Sequence, residues 1–193
     1  MNAVLVTVIL FNGLETDIKK MAYRDINYAL KHAVHDAALF VDPEALAEGE
    51  VIFDRIKGDE AFRETLSRNL PVNLSLEPVK TFVITEPIKI VESEYIDASY
   101  RDPLTGRPVE FPYVYEYVDP SRDTHFTRTL YGPSVVYVIE TRVFNEEKPH
   151  QFITIQEYKD FLVDRESNLL SGTNIEGGDS IDSGAEGVPQ SDS

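Results

Sequence analysis

The sequence predicts an α+β fold: a long N-terminal helix, apolar then amphipathic, short helices, an antiparallel β-rich domain and a disordered acidic tail. Three observations predict it. Apolar residues recur at helical spacing over 15–41, with neither Gly nor Pro to interrupt them. Short stretches rich in β-branched and aromatic residues, separated by Pro and Gly turns, fill 72–155 with no helical pattern between them. Residues 167–193 are rich in Gly, Ser and acid and carry no base, too polar to offset the entropy of ordering. The expected division is 1–41 for the long helix, 42–70 for a helical connector, 71–165 for the β-rich domain and 166–193 for the tail.

Composition excludes several roles. With a net charge of −16 the chain has nothing to neutralise a run of phosphates, which argues against nucleic acid and against an anionic membrane surface as an electrostatic partner. The absence of cysteine excludes disulfides, thiolate metal sites and a Cys nucleophile.

Taken in order, residues 3–14 (AVLVTVILFNGL) are uncharged and apolar. Twelve residues fall short of the roughly 20 a helical span needs. A buried core segment, the distal part of a longer span and a short interfacial anchor are the three readings. From Glu15, the residues Ile18, Ala22, Ile26, Leu30 and Val34 follow at i, i+4, with Ala29, Ala33 and Ala37 beside them. Small Ala residues on that stripe let another helix or a sheet approach closely. Asp42-Pro43 ends the helix and caps a short one that Gly49 closes. Residues 51–56 suit a short strand or a helical turn, and Gly58-Asp59 reads as a break with Asp59 capping a helix to Leu70. Candidate strands are 72–76, 80–85, 88–92, 94–100, 109–118, 127–131, 134–144 and 152–155, and 156–164 suits a closing helical turn. In 134–144, Val135, Tyr137, Ile139, Thr141 and Val143 share a face, with Glu140 and Arg142 opposite. Regular short spacing without intervening helices predicts an antiparallel sheet or small sandwich.

Residues with chemistry to offer are few. His32 and His35 stand at i, i+3 with Asp36 adjacent, a spacing able to present two ring nitrogens to one metal, but no HExxH or Glu-x-x-His framework surrounds them. Asp119, Asp123 and His125 form an acidic loop cluster that lacks the Gly and alternating oxygens of a calcium loop, and a turn rich in Asp, Pro and Ser explains it equally. No nucleophile elbow, dinucleotide fingerprint or P-loop is present, so no catalytic, cofactor or metal site is assigned. Tyr113, Tyr115 and Tyr117 alternate and so share one strand face, while Pro112 denies the ladder an N–H. That face either packs on the core with its hydroxyls at the rim, or stands exposed as a contact surface for strand addition.

The succession of an apolar run, an acidic residue and an Ala-rich amphipathic helix, VTVILFNGLETDIKK followed by YALKHAVHDAALF, resembles the pilin-like architecture and most closely the TadE-like pseudopilins. GDEAFRETLSRNL resembles a helix found after the stalk in related membrane-anchored proteins of Gram-positive bacteria, and the likeness covers residues 1–70. It implies a non-enzymatic assembly or surface protein without cofactor, a membrane-anchored transmembrane helix through 3–14, and an extracytoplasmic β-domain. It also implies partners among other protein subunits, by self-assembly into a filament or with secretion or pilus components. Subunit packing then falls to Ile18, Ala22, Ile26, Ala29, Leu30, Ala33 and Ala37. Lys19, Lys20 and Arg24 follow the apolar run with no base before it, which taken alone favours a cytoplasmic C-terminal side. The alternative is a soluble cytoplasmic protein-binding module, or a structural protein of a phage or mobile element, with Tyr113, Tyr115 and Tyr117 as its contact surface.

Overall fold

The longest element is α1, an unbroken helix over Asn2–Ala38. The computed structural model describes residues 2–81 and 83–158, with side chains from residue 14 onward. All belong to one compact unit, Met1–Asp160. The expected tail over 166–193 and most of the expected turn over 156–164 lie outside the described residues. No helix among the described residues is long and apolar enough to cross a membrane.

Helix α2 (Pro43–Ala47) starts where Asp42 accepts hydrogen bonds from the Glu44 and Ala45 N–H groups, and it ends before Gly49, whose φ of +89° suits a residue without Cβ. Helix α3 (Arg55–Asn69) is capped by Asp54, whose side chain accepts from the Lys57 N–H at 3.1 Å. The expected break at Gly58-Asp59 is therefore corrected: the helix runs through both. The glycine is there for space, since a Cβ at position 58 would lie 2.5 Å from the Tyr95 hydroxyl.

Strands β1 (Lys89–Ile96), β4 (Ser134–Thr141) and β5 (His150–Glu157) form an antiparallel sheet in the order β1-β4-β5, and β2 (Tyr113–Asp119) pairs with β3 (Thr124–Leu130) as a hairpin. The expected strands at 88–92 and 94–100 are one strand with a register shift between Ile90 and Glu92. Among the described residues, those expected at 72–76 and 80–85 do not form. Leu76 and Lys80 take φ of 62° and 48°, which breaks extended backbone, and only the isolated bridges Val72–Pro78 and Ile84–Val143 survive.

The alternation read in β4 sets the layers. Tyr137 turns to the helices, its ring stacked on Phe62 of α3 at 3.6 Å and 6°. Val136 and Val138 turn the other way, into a core with Ile96, Tyr115, Tyr117 and Leu130. The sheet thus has α1 and α3 on one face and the hairpin on the other. β4 is central, and Glu140 alone on it is not fully buried.

Candidate functional site

Two features of α1 decide what surface this chain offers. The first is its buried stripe. Ala22, Ile26, Ala29, Leu30, Ala33, Val34, Ala37 and Ala38 are 3% exposed or less, and Ile18 is half-buried. They pack within the chain, since α1 lies against α3, β5 and β4. The expectation that Ala22, Ile26, Ala29, Leu30, Ala33 and Ala37 pack on other subunits is therefore corrected. The chain's own sheet and α3 occupy that stripe, because the connector through α2 brings α3 back onto it.

Polar ties fix α1 to the domain. The Asn145 amide donates to Glu15 at 2.7 Å, and Lys19 reaches the same carboxylate at 2.9 Å. Lys19 first, then Asn145, hold the Glu15 carboxyl below its ordinary range. Tyr23 donates to Glu146 and sets its ring 5.0 Å from His150 and 5.6 Å from Phe152, so that burial, then Glu146, push its phenol up to about 12. Thr65 of α3 donates to Asp36 at 2.5 Å.

The second feature is a separate exposed apolar row. Leu14, Met21 and Tyr28 are 59%, 56% and 61% exposed and stand seven residues apart, so they share one helix face. The sequence contains this row as plainly as the other. The denser i, i+4 stripe masks it, because a 3.6-residue search finds the core-facing side first.

The candidate chemical groups are dispersed. His32 is exposed with its ring 4.3 Å from Tyr28, whereas Asp36 is engaged by Thr65, so His32, His35 and Asp36 do not converge. Among the described residues no group of three or more His, Cys, Asp or Glu is placed to hold a metal. Asp119 accepts from the Ser121 hydroxyl at 2.6 Å, its N–H at 3.0 Å and the Gln151 amide at 2.8 Å, and these bonds, Ser121 first, lower its pKa. Asp123 takes the turn at φ 52°, and His125 meets Glu116 at 2.8 Å on the exposed side of the hairpin. Each does a turn's or a ladder's work.

The three tyrosines of β2 face inward. Tyr115 and Tyr117 are 3% and 5% exposed, and Tyr113 is half-buried. Their proposed role as a contact surface is corrected in favour of the core. The face has to cover Val136 and Val138 of the sheet, and the hydroxyls reach carboxylates at the rim, Tyr115 to Glu92 at 2.6 Å and Tyr113 to Asp102 at 3.2 Å. Burial, then Glu92, push the Tyr115 phenol up, and burial, then Asp102, raise Tyr113 to about 12.

Sequence reasoning missed one buried polar junction. Tyr95 and Tyr137 hydroxyls meet at 2.7 Å and both reach one Asp59 carboxylate oxygen, Tyr95 at 3.0 Å, so that two hydroxyl protons serve three contacts. It joins α3 to β1 and β4 through two buried phenols and a half-buried carboxylate, and so clasps the helix to the sheet. Comparison of the chain with protein families, characterised proteins and solved structures finds no match.

Proposed function

We propose that this chain is a non-enzymatic, pilin-like assembly or surface protein of the TadE-like kind, held and packed on its neighbours through the N-terminal helix, with the β-rich domain turned outward. The observation that carries the reading is the division of α1 into two apolar surfaces. One is consumed inside the domain. The other, Leu14, Met21 and Tyr28, is exposed and continues in sequence into the apolar run of 3–14.

Length supports the reading too. A 37-residue helix is about 55 Å long, whereas a globule of ~120 residues is only about 35 Å across. The apolar run alone makes about 18 Å of helix against a hydrocarbon core of about 30 Å. Anchoring through 3–14 is therefore supplemented by packing against apolar helices of neighbouring subunits.

The experiment is fractionation of cells expressing the chain. The intact chain is expected in the particulate fraction, released by detergent, and the double substitution Val6→Asp with Ile9→Asp is expected to shift it to the supernatant. An intact chain found wholly in the supernatant would leave the soluble binding module as the better reading.

A further inference from the structure

The three-stranded sheet has two edges, and they are treated differently. At β1 the ladder shifts register between Ile90 and Glu92, the strand carries Lys89, Glu92 and Glu94, and the Arg55 guanidinium donates to the Tyr95 carbonyl at 3.3 Å. Bulges, charges and capping groups are the usual defences of an exposed edge. β5 is less defended, with its one acid, Glu157, at its C-terminal end. Its register with β4 is unbroken from Ser134–Glu157 to Thr141–His150, it contains no Pro, and its centre, Phe152 to Ile155, is uncharged. No strand among the described residues pairs with its outer side. Ile153, Thr154 and Ile155 are half-buried while their β4 partners Val138, Tyr137 and Val136 are 0% exposed.

That open edge lies in a groove of about 300 Å³. One wall is Lys31 and Val34 of α1, and the other is Phe126 and Arg128 of β3. Each wall thus presents one cation, and the apolar surface left open to the groove is Phe126 with the half-buried Ile153 and Ile155, since Val34 is 1% exposed. Lys31 is exposed, and Arg128 stands 3.6 Å from the Glu157 carboxylate with its side chain 46% exposed. In a chain of net charge −16, paired cations flanking an unpaired strand edge select for acid.

We propose that the β5 edge takes up an extended segment of another protein by strand addition, one whose alternating side chains put an apolar and an acidic residue on each face. Main-chain bonds to β5 supply affinity, Phe126 with Ile153 and Ile155 takes the apolar side chains, and Lys31 and Arg128 meet the acids. This surface is separate from the exposed row of α1, so it stands or falls independently of the anchoring role.

The test titrates the full chain with acetyl-TVIEEVT-amide, read by fluorescence anisotropy and by amide exchange along β5. Binding with new protection of β5 amides is expected, as is loss of binding when prolines interrupt the peptide. Lys31→Glu with Arg128→Glu, both at the surface, is expected to weaken the acidic peptide about tenfold or more and to favour acetyl-TVIKKVT-amide instead. No binding at about 1 mM, equal binding of the proline-interrupted peptide, or an unchanged affinity in the double variant would overturn the proposal. So would β5 protection that rises with protein concentration without peptide, which assigns the edge to a second copy. Protection already complete without peptide and independent of concentration assigns it to an occupant supplied by the chain itself, and overturns the proposal equally.

Discussion

Replacing Tyr137 by Phe isolates the polar part of the junction between α3 and the sheet. The ring stays stacked on Phe62, and 0% of Tyr137 is exposed, so the substitution removes one hydroxyl and little else. That hydroxyl bonds to the Tyr95 hydroxyl at 2.7 Å and to the Asp59 carboxylate. A bond to a charged group contributes about 1.5–3 kcal/mol and a neutral one about 1. Asp59 keeps the Tyr95 hydroxyl at 3.0 Å and is not orphaned, which holds the loss near the lower end. The expected destabilisation is about 2 kcal/mol, the net worth of one charged hydrogen bond. In urea, with m of about 2 kcal/mol/M, the midpoint falls by about 1 M. The melting temperature falls by about 4–8 °C. Far-UV circular dichroism follows both, since the chain has no Trp. A change under about 0.5 kcal/mol, the range of ordinary surface substitutions, would refute the buried network.

Gly58→Ala tests the same junction from the backbone. In an exposed helix this exchange stabilises by about 1 kcal/mol, but here the new Cβ meets the Tyr95 hydroxyl at 2.5 Å and its ring at 3.0 Å. The sign should reverse, to a loss of about 1–3 kcal/mol from overpacking, measurable in the same urea titration. Alkaline titration followed at 295 nm reads the buried phenols together. Burial is the first cause that raises Tyr95, Tyr100, Tyr115 and Tyr137 above the ordinary 10.0, and Tyr23 and Tyr113 reach about 12. The folded state holds these protons more tightly than the unfolded chain, so their contribution is complete below about pH 10 and is lost as pH rises through the folded values. Stability should therefore be flat from neutrality to about pH 9 and then fall, with these tyrosines ionising as the chain unfolds. Smooth ionisation near pH 10 without loss of structure would contradict the burial.

Much of the fold was legible because local signals agreed with the tertiary outcome. The period-two pattern of Val135, Tyr137 and Ile139 gave β4 its faces, and Asp42-Pro43 gave α2 its start. The errors arose where local chemistry served a distant neighbour. Gly58 reads as a helix breaker, yet its missing Cβ makes room for Tyr95, 37 positions away by sequence number. The segments 72–76 and 80–85 have strand composition, yet Leu76 and Lys80 adopt positive φ. The site was less legible than the fold. Alternation placed Tyr113, Tyr115 and Tyr117 on one face without saying which way it points, and that depends on the register of a hairpin with a sheet whose strands flank it in sequence. The stripe on α1 was found, but whether it meets another subunit or this chain's own sheet is a tertiary fact. The open edge of β5 has no sequence signature beyond the uncharged FITI.

Sedimentation velocity on the intact chain, with and without a mild detergent, tests the anchored-assembly reading most directly. That reading predicts large or heterogeneous particles in buffer alone, detergent-dependent dispersal, and a shift toward monomer when Met21 and Tyr28 are both changed to Glu on the exposed row of α1. A monodisperse monomer in buffer without detergent, unaltered by those substitutions, would contradict it.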